Sequence, residues 1–318
     1  MYLNTQKMSL PRTLLAVLLS YVTLDTLVAP QQMQVQGYAI GQSKYGRIEK
    51  FPYQVMLIGK QLWRKRILCG GTLLNQRWIL TAGHCTMGVT HFDIYLGALT
   101  IEDAAETGRL VLRSNKFIVH EHFNPETAAN DIALVKLPID VAFTARIQPA
   151  ILPYVNRNDP LTGAKVVATG WGANSEMSNY NPMQYTELRV ISNQECANEF
   201  DVITNGVLCA KGLRDETVCS GDSGGPLVLK NTQVVVGITS FGPADGCETN
   251  IPGGFTRVTH YLDWIEVKTG RLSERVQQQR QQQLQLLRQQ QQVQQVQRLQ
   301  QLPQASMRGV VRVNENVV

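Results

Sequence analysis

Residues 217–226 have the sequence Thr217-Val-Cys-Ser-Gly-Asp-Ser-Gly-Gly-Pro226. This stretch places Ser223 between glycines, after an aspartate and close to a cysteine. Glycine permits positive φ angles and close approach of the main chain to a ligand, so the composition suits a turn that presents one hydroxyl to a substrate. A tight turn between two strands fits the same residues, and the stretch alone does not separate the two interpretations.

Gly221-Asp-Ser-Gly-Gly225 also satisfies the G-x-S-x-G pattern of the α/β-hydrolases. In that class the acid and then the histidine follow the serine in the chain. The only aspartates and histidine downstream of Ser223 are Asp245, Asp263 and His260, and no alternation of strands and helices follows to carry them. The α/β-hydrolase interpretation is therefore disfavoured.

The opposite order, histidine and then aspartate before the serine, is present upstream. His84 lies in Trp78-Ile-Leu-Thr-Ala-Gly-His-Cys85, an apolar run that ends in a cysteine-containing turn. Asp131 lies in Asn130-Asp-Ile-Ala-Leu-Val-Lys-Leu137, at the head of another apolar run. Together with the Ser223 stretch, these segments resemble the chymotrypsin-like serine peptidases.

This resemblance runs from Ile40 to Gly270. Two further segments, Gly253-Gly-Phe-Thr-Arg-Val258 and Tyr261-Leu-Asp-Trp-Ile265, are similar to the insect digestive branch of the family, which contains chymotrypsins and serine collagenases. The family fold is all-β, with two six-stranded antiparallel β-barrels, a cleft between them and a C-terminal α-helix. The resemblance implies that His84 and Asp131 come from the first barrel and Ser223 from the second.

The hydrophobic pattern agrees with an all-β fold. Short apolar or alternating runs separated by Gly, Pro and Asn predict a barrel or a sandwich. The runs are Tyr53–Ile58, Arg77–Thr81, Ile94–Leu96, Leu110–Leu112, Ile132–Leu137, Lys165–Thr169, Glu187–Ile191, Pro226–Leu229 and Val234–Thr239. Residues Thr259–Lys268 have helical spacing and predict the closing helix.

The resemblance assigns the chemistry to a triad. A serine hydroxyl is a poor nucleophile until an adjacent base takes its proton. His84 is expected to be that base, and Asp131 is expected to orient its ring. The backbone N–H groups of Gly221 and Ser223 are expected to form the oxyanion hole.

Six residues are assigned to substrate binding by the same resemblance: Thr217, Val218, Ser240, Phe241, Gly242 and Gly253. Thr217 stands at the pocket floor, where a trypsin-like enzyme carries an aspartate, and a threonine cannot neutralise Arg or Lys. Glycines at the two wall positions leave the pocket open. We therefore expect chymotrypsin-like cleavage after large apolar residues. The segment from Ser240 to Gly242 is expected to pair with the substrate backbone by strand addition.

The activation segment departs from the family pattern. Activation in the family exposes an N-terminal Ile-Val-Gly-Gly whose ammonium pairs with the aspartate before the nucleophile, here Asp222. Family spacing places this terminus at Ile40, but the residues there are Ala39-Ile-Gly-Gln-Ser43, without paired glycines and without a preceding Arg or Lys. An active endopeptidase is the favoured hypothesis. A weakly active or inactive peptidase-fold protein that binds partners is the alternative.

The chain contains six cysteines, for which fifteen pairings exist. Disulfides are the default in a secreted chain, and the Cys/His spacing does not suit a metal site. The resemblance selects three pairs: Cys69–Cys85, Cys196–Cys209 and Cys219–Cys247. His120 and His122 could share one face of a strand, but no third ligand accompanies them, and no metal or cofactor is expected.

Four regions follow from composition and resemblance: 1–29, a signal peptide with a basic start and an apolar run; 30–39, a short propeptide; 40–270, the peptidase domain; and 271–318, a Gln/Arg-rich tail. The formal net charge of the chain is +5. Residues 271–318 hold seven Arg and two Glu, so the excess lies in the tail. Disorder of the tail is favoured over a loose helix or a partner-binding segment.

The expected partners follow from these assignments. We expect a secreted, extracellular monomer, in the gut lumen by family analogy, that acts on proteins or peptides and is bound by peptidase inhibitors. The near-neutral peptidase domain gives no support for nucleic-acid binding. After removal of the signal peptide, no membrane association is expected.

Overall fold

A computed structural model of the chain describes residues 44–45, 47–62, 65–100, 103, 105–172, 182–212, 217–243, 250–270, 281–282 and 284–294. The predicted signal peptide and propeptide, Ile40 and Cys247 lie outside these residues. Fourteen strands follow one another in the described ranges: β1 (Lys44–Tyr45), β2 (Gln54–Gln61), β3 (Arg66–Leu73), β4 (Trp78–Thr81), β5 (Val89–Leu96), β6 (Leu110–Ser114), β7 (Phe117–Val119), β8 (Ala133–Lys136), β9 (Lys165–Gly170), β10 (Gln184–Ile191), β11 (Val207–Gly212), β12 (Pro226–Leu229), β13 (Val235–Phe241) and β14 (Gly253–Arg257). They form two antiparallel barrel-like sheets, which confirms the predicted fold class.

The first sheet has the strand order β6-β5-β2-β3-β4-β8-β7. The sequence predicts six strands here and the structure has seven, because the chain is interrupted between β6 and β7 at Asn115 and Lys116. At the interruption the Lys136 N–H donates to the Lys116 carbonyl at 2.8 Å, and the Ser114 hydroxyl donates to the Lys136 carbonyl at 2.6 Å. If β6 and β7 are taken as one bent strand, the predicted count of six is recovered.

The second sheet closes on itself. Its order is β9-β10-β11-β14-β13-β12, and β12 pairs back with β9. These six strands are the predicted second barrel. The short β1 adds a seventh strand at β10, where Lys44 lies opposite Tyr185 and Tyr45 opposite Gln184. The segment that leads into the first barrel is therefore attached to the second.

Strand β5 shows why the periodic runs form strands. Phe92, Ile94 and Leu96 alternate with more exposed residues and are buried in the core. Strands β3 and β14 are absent from the sequence prediction because each contains a pair of glycines, Gly70-Gly71 and Gly253-Gly254, and glycine is depleted in strands. Tertiary contacts stabilise these two strands although their local strand propensity is low. A Cβ on Gly71 would lie 2.7 Å from Ile79 Cγ2, so the missing side chain is what allows β3 and β4 to pack.

Two short helices follow strands of the second barrel. Helix α1 (Asn193–Cys196) begins after Ser192, whose side chain accepts a hydrogen bond from the Glu195 N–H at 3.0 Å, as an N-cap residue does. Helix α2 (Leu262–Thr269) matches the predicted closing helix and buries Leu262 and Ile265. Among the described residues no helix is long and apolar enough to cross a membrane.

Part of the Gln-rich tail is also described. Residues 284–294 are helical, although the sequence favours disorder over a loose helix. Leu287 packs against the core of the second barrel, whereas Leu286 and Val293 are 56% and 55% exposed. Leu286, Leu287 and Gln290 line one side of an open cleft of about 480 Å³ at the barrel surface. The rest of region 271–318 lies outside the described residues.

The two barrels meet at the backbone around Ser223. The Gly70 N–H of β3 donates to the Ser223 carbonyl at 2.7 Å, and the Thr81 hydroxyl donates to the Gly70 carbonyl at 2.9 Å. A Cβ on Gly70 would lie 2.6 Å from the Gly225 Cα, so only a residue without a side chain permits this approach. The loop that contains Ser223 is thereby fixed against the first barrel.

Disulfides reinforce this region. Cys69–Cys85 joins β3 to the turn that contains His84, and Cys196–Cys209 joins α1 to β11. Both predicted pairs are confirmed. Cys219 is also disulfide-bonded, and its predicted partner Cys247 lies outside the described residues. Because the first bridge closes a short loop, it restricts the unfolded chain by about 3 kcal/mol in the chain-entropy model.

We expect Gly224→Ala to destabilise the protein far more than Gly163→Ala. Both glycines have positive φ, +78° and +82°, so both variants carry the same backbone strain, about 1–2 kcal/mol. A Cβ at position 224 would overlap the Thr81 hydroxyl and lie 2.7 Å from the Gly70 carbonyl oxygen, whereas no atom lies within 4 Å at position 163.

Denaturant unfolding of the two variants measures the difference. The free energy of unfolding should fall by about 1–2 kcal/mol in Gly163→Ala. Overpacking should add about 1–3 kcal/mol to the loss in Gly224→Ala. Equal losses would show that the seam between the barrels tolerates a side chain.

Candidate active site

His84 and Asp131 are brought together by paired strands. His84 begins a 3₁₀ turn directly after β4, Asp131 lies just before β8, and these two strands pair in register. The Asp131 carboxylate lies 2.7 Å from His84 Nδ1 through one oxygen and accepts from the His84 N–H at 2.8 Å through the other. An ionised carboxylate only accepts, so the Nδ1 atom carries the proton and Nε2 is left free as a base.

The burial of the pair is asymmetric. Asp131 is 1% exposed, whereas the His84 side chain is 31% exposed. The carboxylate is therefore shielded from water, which strengthens its hold on the ring. The other edge of the imidazole lies on the solvent side, where a substrate can reach it.

A hydroxyl group also contacts the Asp131 carboxylate. Ser240 Oγ donates to Asp131 Oδ2 at 2.5 Å. Ser240 lies where the register between β13 and β14 shifts, between Thr239 and Phe241, and such bulges redirect side chains. Sequence reasoning assigned Ser240 to substrate pairing and missed this contact. The only local signal is a hydroxyl residue at the end of an apolar run.

The main chain of Ser223 and the ring of His84 both lie near the Cys85 sulfur. The Ser223 carbonyl is 3.5 Å from Cys85 Sγ, and His84 Nε2 is 3.8 Å from the same sulfur. Within the described part of the chain, the Ser223 hydroxyl makes no hydrogen bond. Catalytic hydrogen bonds are often long or poorly aligned without substrate, so the lack of this bond does not argue against Ser223 as the nucleophile.

The loop before Ser223 presents two unused donors. The N–H groups of Asp222, Gly224 and Gly225 donate to main-chain carbonyls, whereas those of Gly221 and Ser223 have no acceptor among the described residues. Gly221 has φ +102°, a conformation that side chains disfavour. The pair of free N–H groups can stabilise a developing oxyanion.

Four predicted pocket residues also converge. Thr217 and Val218 are buried, and a Cβ on Gly253 would lie 3.1 Å from Thr217 Oγ1 and 3.0 Å from Val218 Cγ2. The nearest atom to a Cβ on Gly242 would be the Val218 carbonyl oxygen, at 3.6 Å. The Thr217 hydroxyl is buried and lacks a hydrogen-bond partner among the described residues. At the predicted floor of the binding pocket, Thr217 therefore carries no charge but provides one polar atom, its hydroxyl oxygen.

Phe241 is the sixth residue of the predicted binding set. Its ring lies over Gly254, where a Cβ would come within 2.6 Å of Phe241 Cδ2, and it packs edge-to-face on Phe200 at 5.0 Å. The Phe241 side chain is therefore engaged with the protein. Its backbone remains the part that could pair with a substrate strand.

Comparisons with known proteins agree with this geometry. The family model described as Trypsin matches residues 40–265. Brachyurin from Leptuca pugilator is 37% identical over 69% of this chain and 94% of its own length. Collagenase from Hypoderma lineatum is 38% identical over 69% of this chain and 83% of its own length.

The chain belongs to the trypsin family.

Solved structures extend the likeness of this trypsin-family protein to three dimensions. The structure of HL collagenase superimposes with a TM-score of 0.67 at 36% identity and covers 72% of this chain and 98% of its own. Neuropsin, a serine protease expressed in the limbic system of mouse brain, gives a TM-score of 0.63 at 28% identity, over 72% of this chain and 99% of its own. The chain is thus a chymotrypsin-like serine endopeptidase, and its substrates are proteins or peptides.

Asp222 is the most constrained acid of this trypsin-family site. Its carboxyl group lies between Gly170 and Gly172; a Cβ on Gly172 would lie 2.6 Å from Asp222 Cγ. The Cys219 and Gly172 N–H groups donate to it at 3.0 and 2.8 Å. Burial raises the pKa of Asp222, and these two N–H groups only partly oppose the rise. Although the residue is half-buried as a whole, its carboxyl group is inside the protein.

Among the described residues, the candidate metal ligands have other partners. One described group of close potential ligands consists of Cys69, His84 and Cys85, but its two sulfurs are joined in a disulfide. His120, considered above with His122, packs its ring 5.2 Å from that of Trp264. This aromatic contact accounts for the position of His120.

We expect Asp222→Asn to gain stability relative to the wild type in the uncleaved chain as the pH rises from 4 to 7. The raised pKa means that the folded state favours the protonated carboxyl. Its stability contribution is therefore complete below the unfolded pKa of about 3.9 and is lost as pH rises through the raised folded value. Asparagine removes the charge but keeps only one acceptor oxygen, whereas the Gly172 and Cys219 N–H groups donate to different oxygens of Asp222. The lost acceptor is a cost that does not vary with pH, so the pH dependence of the stability difference carries the test.

Melting temperatures across pH test this sign. The melting temperature of the variant minus that of the wild type should be higher at pH 7 than at pH 4 by more than about 2 °C. Asp201→Asn, a change at an exposed acid, is the matched control and should leave the curve unchanged. A gap that is independent of pH would contradict the assignment of Asp222 as a buried, uncompensated acid.

Proposed function

We propose that this protein is a secreted endopeptidase that cleaves peptide bonds after large apolar residues through His84, Asp131 and Ser223. One observation carries the proposal. The buried Asp131 carboxylate lies 2.7 Å from His84 Nδ1, and the N–H groups of Gly221 and Ser223 have no acceptor among the described residues. A base, a nucleophile and oxyanion donors are the parts that acyl transfer requires.

The reaction follows from these positions. Ser223 Oγ attacks the scissile carbonyl while His84 Nε2 takes the hydroxyl proton. The resulting oxyanion accepts hydrogen bonds from the N–H groups of Gly221 and Ser223, a contribution typically worth about 10²–10³ in rate per donor. His84 then protonates the leaving amine, and an acyl-enzyme remains. Water, deprotonated by His84, releases the acid and regenerates Ser223.

The proposed preference rests on the pocket. Thr217 supplies no negative charge to pair with Arg or Lys, and Gly242 and Gly253 add no bulk to the walls. A large apolar side chain can therefore enter and bury its surface, which contributes about 25 cal/mol per Å². Val218 narrows the pocket beside its floor.

The proposed maturation creates a new N-terminus at the start of the catalytic region. Removal of the signal peptide 1–29 and the propeptide 30–39 leaves Ile40 as the new terminus, and the family match also begins at residue 40. Its ammonium would pair with the buried Asp222 carboxyl. In this proposal the mature protein is an extracellular monomer, located in a gut lumen by family analogy. Peptidase inhibitors bind it, and it binds neither nucleic acids nor membranes.

The alternative, a peptidase-fold protein with little turnover, also has an observation in its favour. The segment Ala39-Ile-Gly-Gln-Ser43 lacks the family's paired glycines. Within the described residues, only N–H donors contact the Asp222 carboxyl. If cleavage does not supply a cation to Asp222, the oxyanion loop loses its support. The Gln-rich tail would then be the partner-binding element.

The first test sequences the mature N-terminus of protein secreted from cultured cells and reacts the same sample with a phenylalanyl fluorophosphonate probe. We expect a terminus at Ile40 and labelling of Ser223, because the charged terminus completes the loop. Ser223→Ala is the control and should not be labelled. A terminus near Pro30 without labelling would reject the proposal in favour of the binding protein.

The orphan hydroxyl at the pocket floor predicts a preference within the aromatic substrates. We expect kcat/KM for a P1 tyrosine to exceed that for phenylalanine by about 3- to 10-fold, because the tyrosine hydroxyl can bond Thr217 Oγ1. Thr217→Val keeps the shape and removes the partner, so the Tyr/Phe ratio should fall to about 1 while the value for phenylalanine is unchanged. The same ratio in both proteins would show that the hydroxyl does not contact the substrate.

A further inference from the structure

The residue before the proposed catalytic aspartate has a demanding conformation. Asn130 has φ +55°, in the left-handed region that asparagine tolerates better than most residues. Both ends of its amide are engaged: Nδ2 donates to the His122 carbonyl at 2.9 Å, and Oδ1 accepts from the Tyr261 hydroxyl at 3.0 Å. The conformation that aims Asp131 is thus held by one side chain with two partners.

Tyr261 is itself tightly fixed. It is 5% exposed, and a Cβ on Gly206 would lie 2.7 Å from its hydroxyl oxygen. Burial, and secondarily the charge of Asp131, raise the pKa of Tyr261 to about 12. The phenol therefore remains a protonated donor at any pH at which the protein would be assayed.

The segment around Tyr261 comes from the far end of the domain. Tyr261 closes the 3₁₀ turn Val258–Tyr261 and leads into α2, and both elements bury residues in the same core as the first barrel. Two further contacts tie this segment to the loop before Asn130. The His120 ring lies edge-on to Tyr261 at 5.5 Å, and Trp264 Nε1 donates to the Glu121 carboxylate at 2.8 Å. The loop is therefore held by Tyr261 and by Trp264.

We propose that Tyr261 is a positioning residue of the peptidase reaction: its hydroxyl fixes Asn130 and thereby the direction in which Asp131 presents its carboxylate to His84. The inference rests on the proposed triad. Tyr261 touches neither substrate nor reacting atoms in this scheme. Its effect passes through one hydrogen bond to Asn130 and one peptide unit to Asp131. A small displacement of an orienting group is enough to lower the rate strongly, because the reacting geometry must be met within a fraction of an ångström.

Tyr261→Phe removes only the hydroxyl and tests the proposal on the secreted, processed protein. We expect kcat on a P1 phenylalanine substrate to fall about 10-fold or more, with KM within about twofold of wild type, because the binding pocket is untouched. Tyr53→Phe is the matched control, since Tyr53 is 1% exposed and leads into β2 of the first barrel. It should leave kcat unchanged.

A double-mutant cycle separates positioning from general packing. Asn130→Gly keeps the left-handed conformation accessible and removes both side-chain hydrogen bonds. If Tyr261 acts through Asn130, adding Tyr261→Phe to Asn130→Gly should change kcat by less than about twofold. Multiplicative losses in the double variant would mean that Tyr261 acts by another route and would overturn the proposal.

The remaining outcomes are also decisive. If the wild type turns over and Tyr261→Phe retains wild-type kcat, the positioning role is wrong while the proposed function stands. If kcat and KM change together with a lower melting temperature, Tyr261 is a packing residue only. If the processed wild type shows no turnover and no probe labelling of Ser223, the proposed function fails and the positioning role fails with it.

Discussion

One main-chain hydrogen bond, from the Gly70 N–H to the Ser223 carbonyl at 2.7 Å, joins the first barrel to the nucleophile loop of the second. His84 and Asp131 come from the first barrel, so their distance from Ser223 is set by how the barrels dock. Docking at this distance requires a seam without side chains, because a Cβ on Gly70 would lie 2.6 Å from the Gly225 Cα. The glycines of the Ser223 stretch thus serve the contact between the barrels as much as the oxyanion loop.

Asp131 depends on the same docking. Its carboxylate is approached by two nitrogen atoms of His84 from the first barrel and by the Ser240 hydroxyl from the second. The Thr256 hydroxyl of β14 also donates to the Asp131 main-chain carbonyl at 2.6 Å. A buried carboxylate that lost one of these donors would be poorly compensated. The position of Asp131 therefore depends on the docking of the barrels. The C-terminal segment, through Tyr261 and Asn130, further restrains Asp131.

The sequence predicts the contact between functional residues correctly where these residues lie at the ends of strands. His84 and Asp131 follow or precede apolar runs that pair with each other, so motif and periodicity predict their contact together. Local sequence reasoning missed Ser240, because the bulge that redirects this side chain depends on the register between β13 and β14. It also missed the contact between Asn130 and Tyr261, which are 131 positions apart and carry no shared pattern. Long-range register and the docking of distant segments have no local signature.

The desolvation of the Asp222 carboxyl group in the folded protein can be linked to the proposed activation by proteolysis. Gly170 and Gly172 enclose its carboxyl group closely, so the group is desolvated whether or not a cation pairs with it. Two N–H donors offset only part of that desolvation, and the pKa stays raised. A cation that arrived beside it would remove the remainder and reverse the sign of its pH dependence. The uncleaved chain therefore holds, next to the proposed nucleophile, a carboxyl group that lacks a compensating charge among the described residues. In the proposed maturation, the ammonium group of a new terminus at Ile40 would supply that charge.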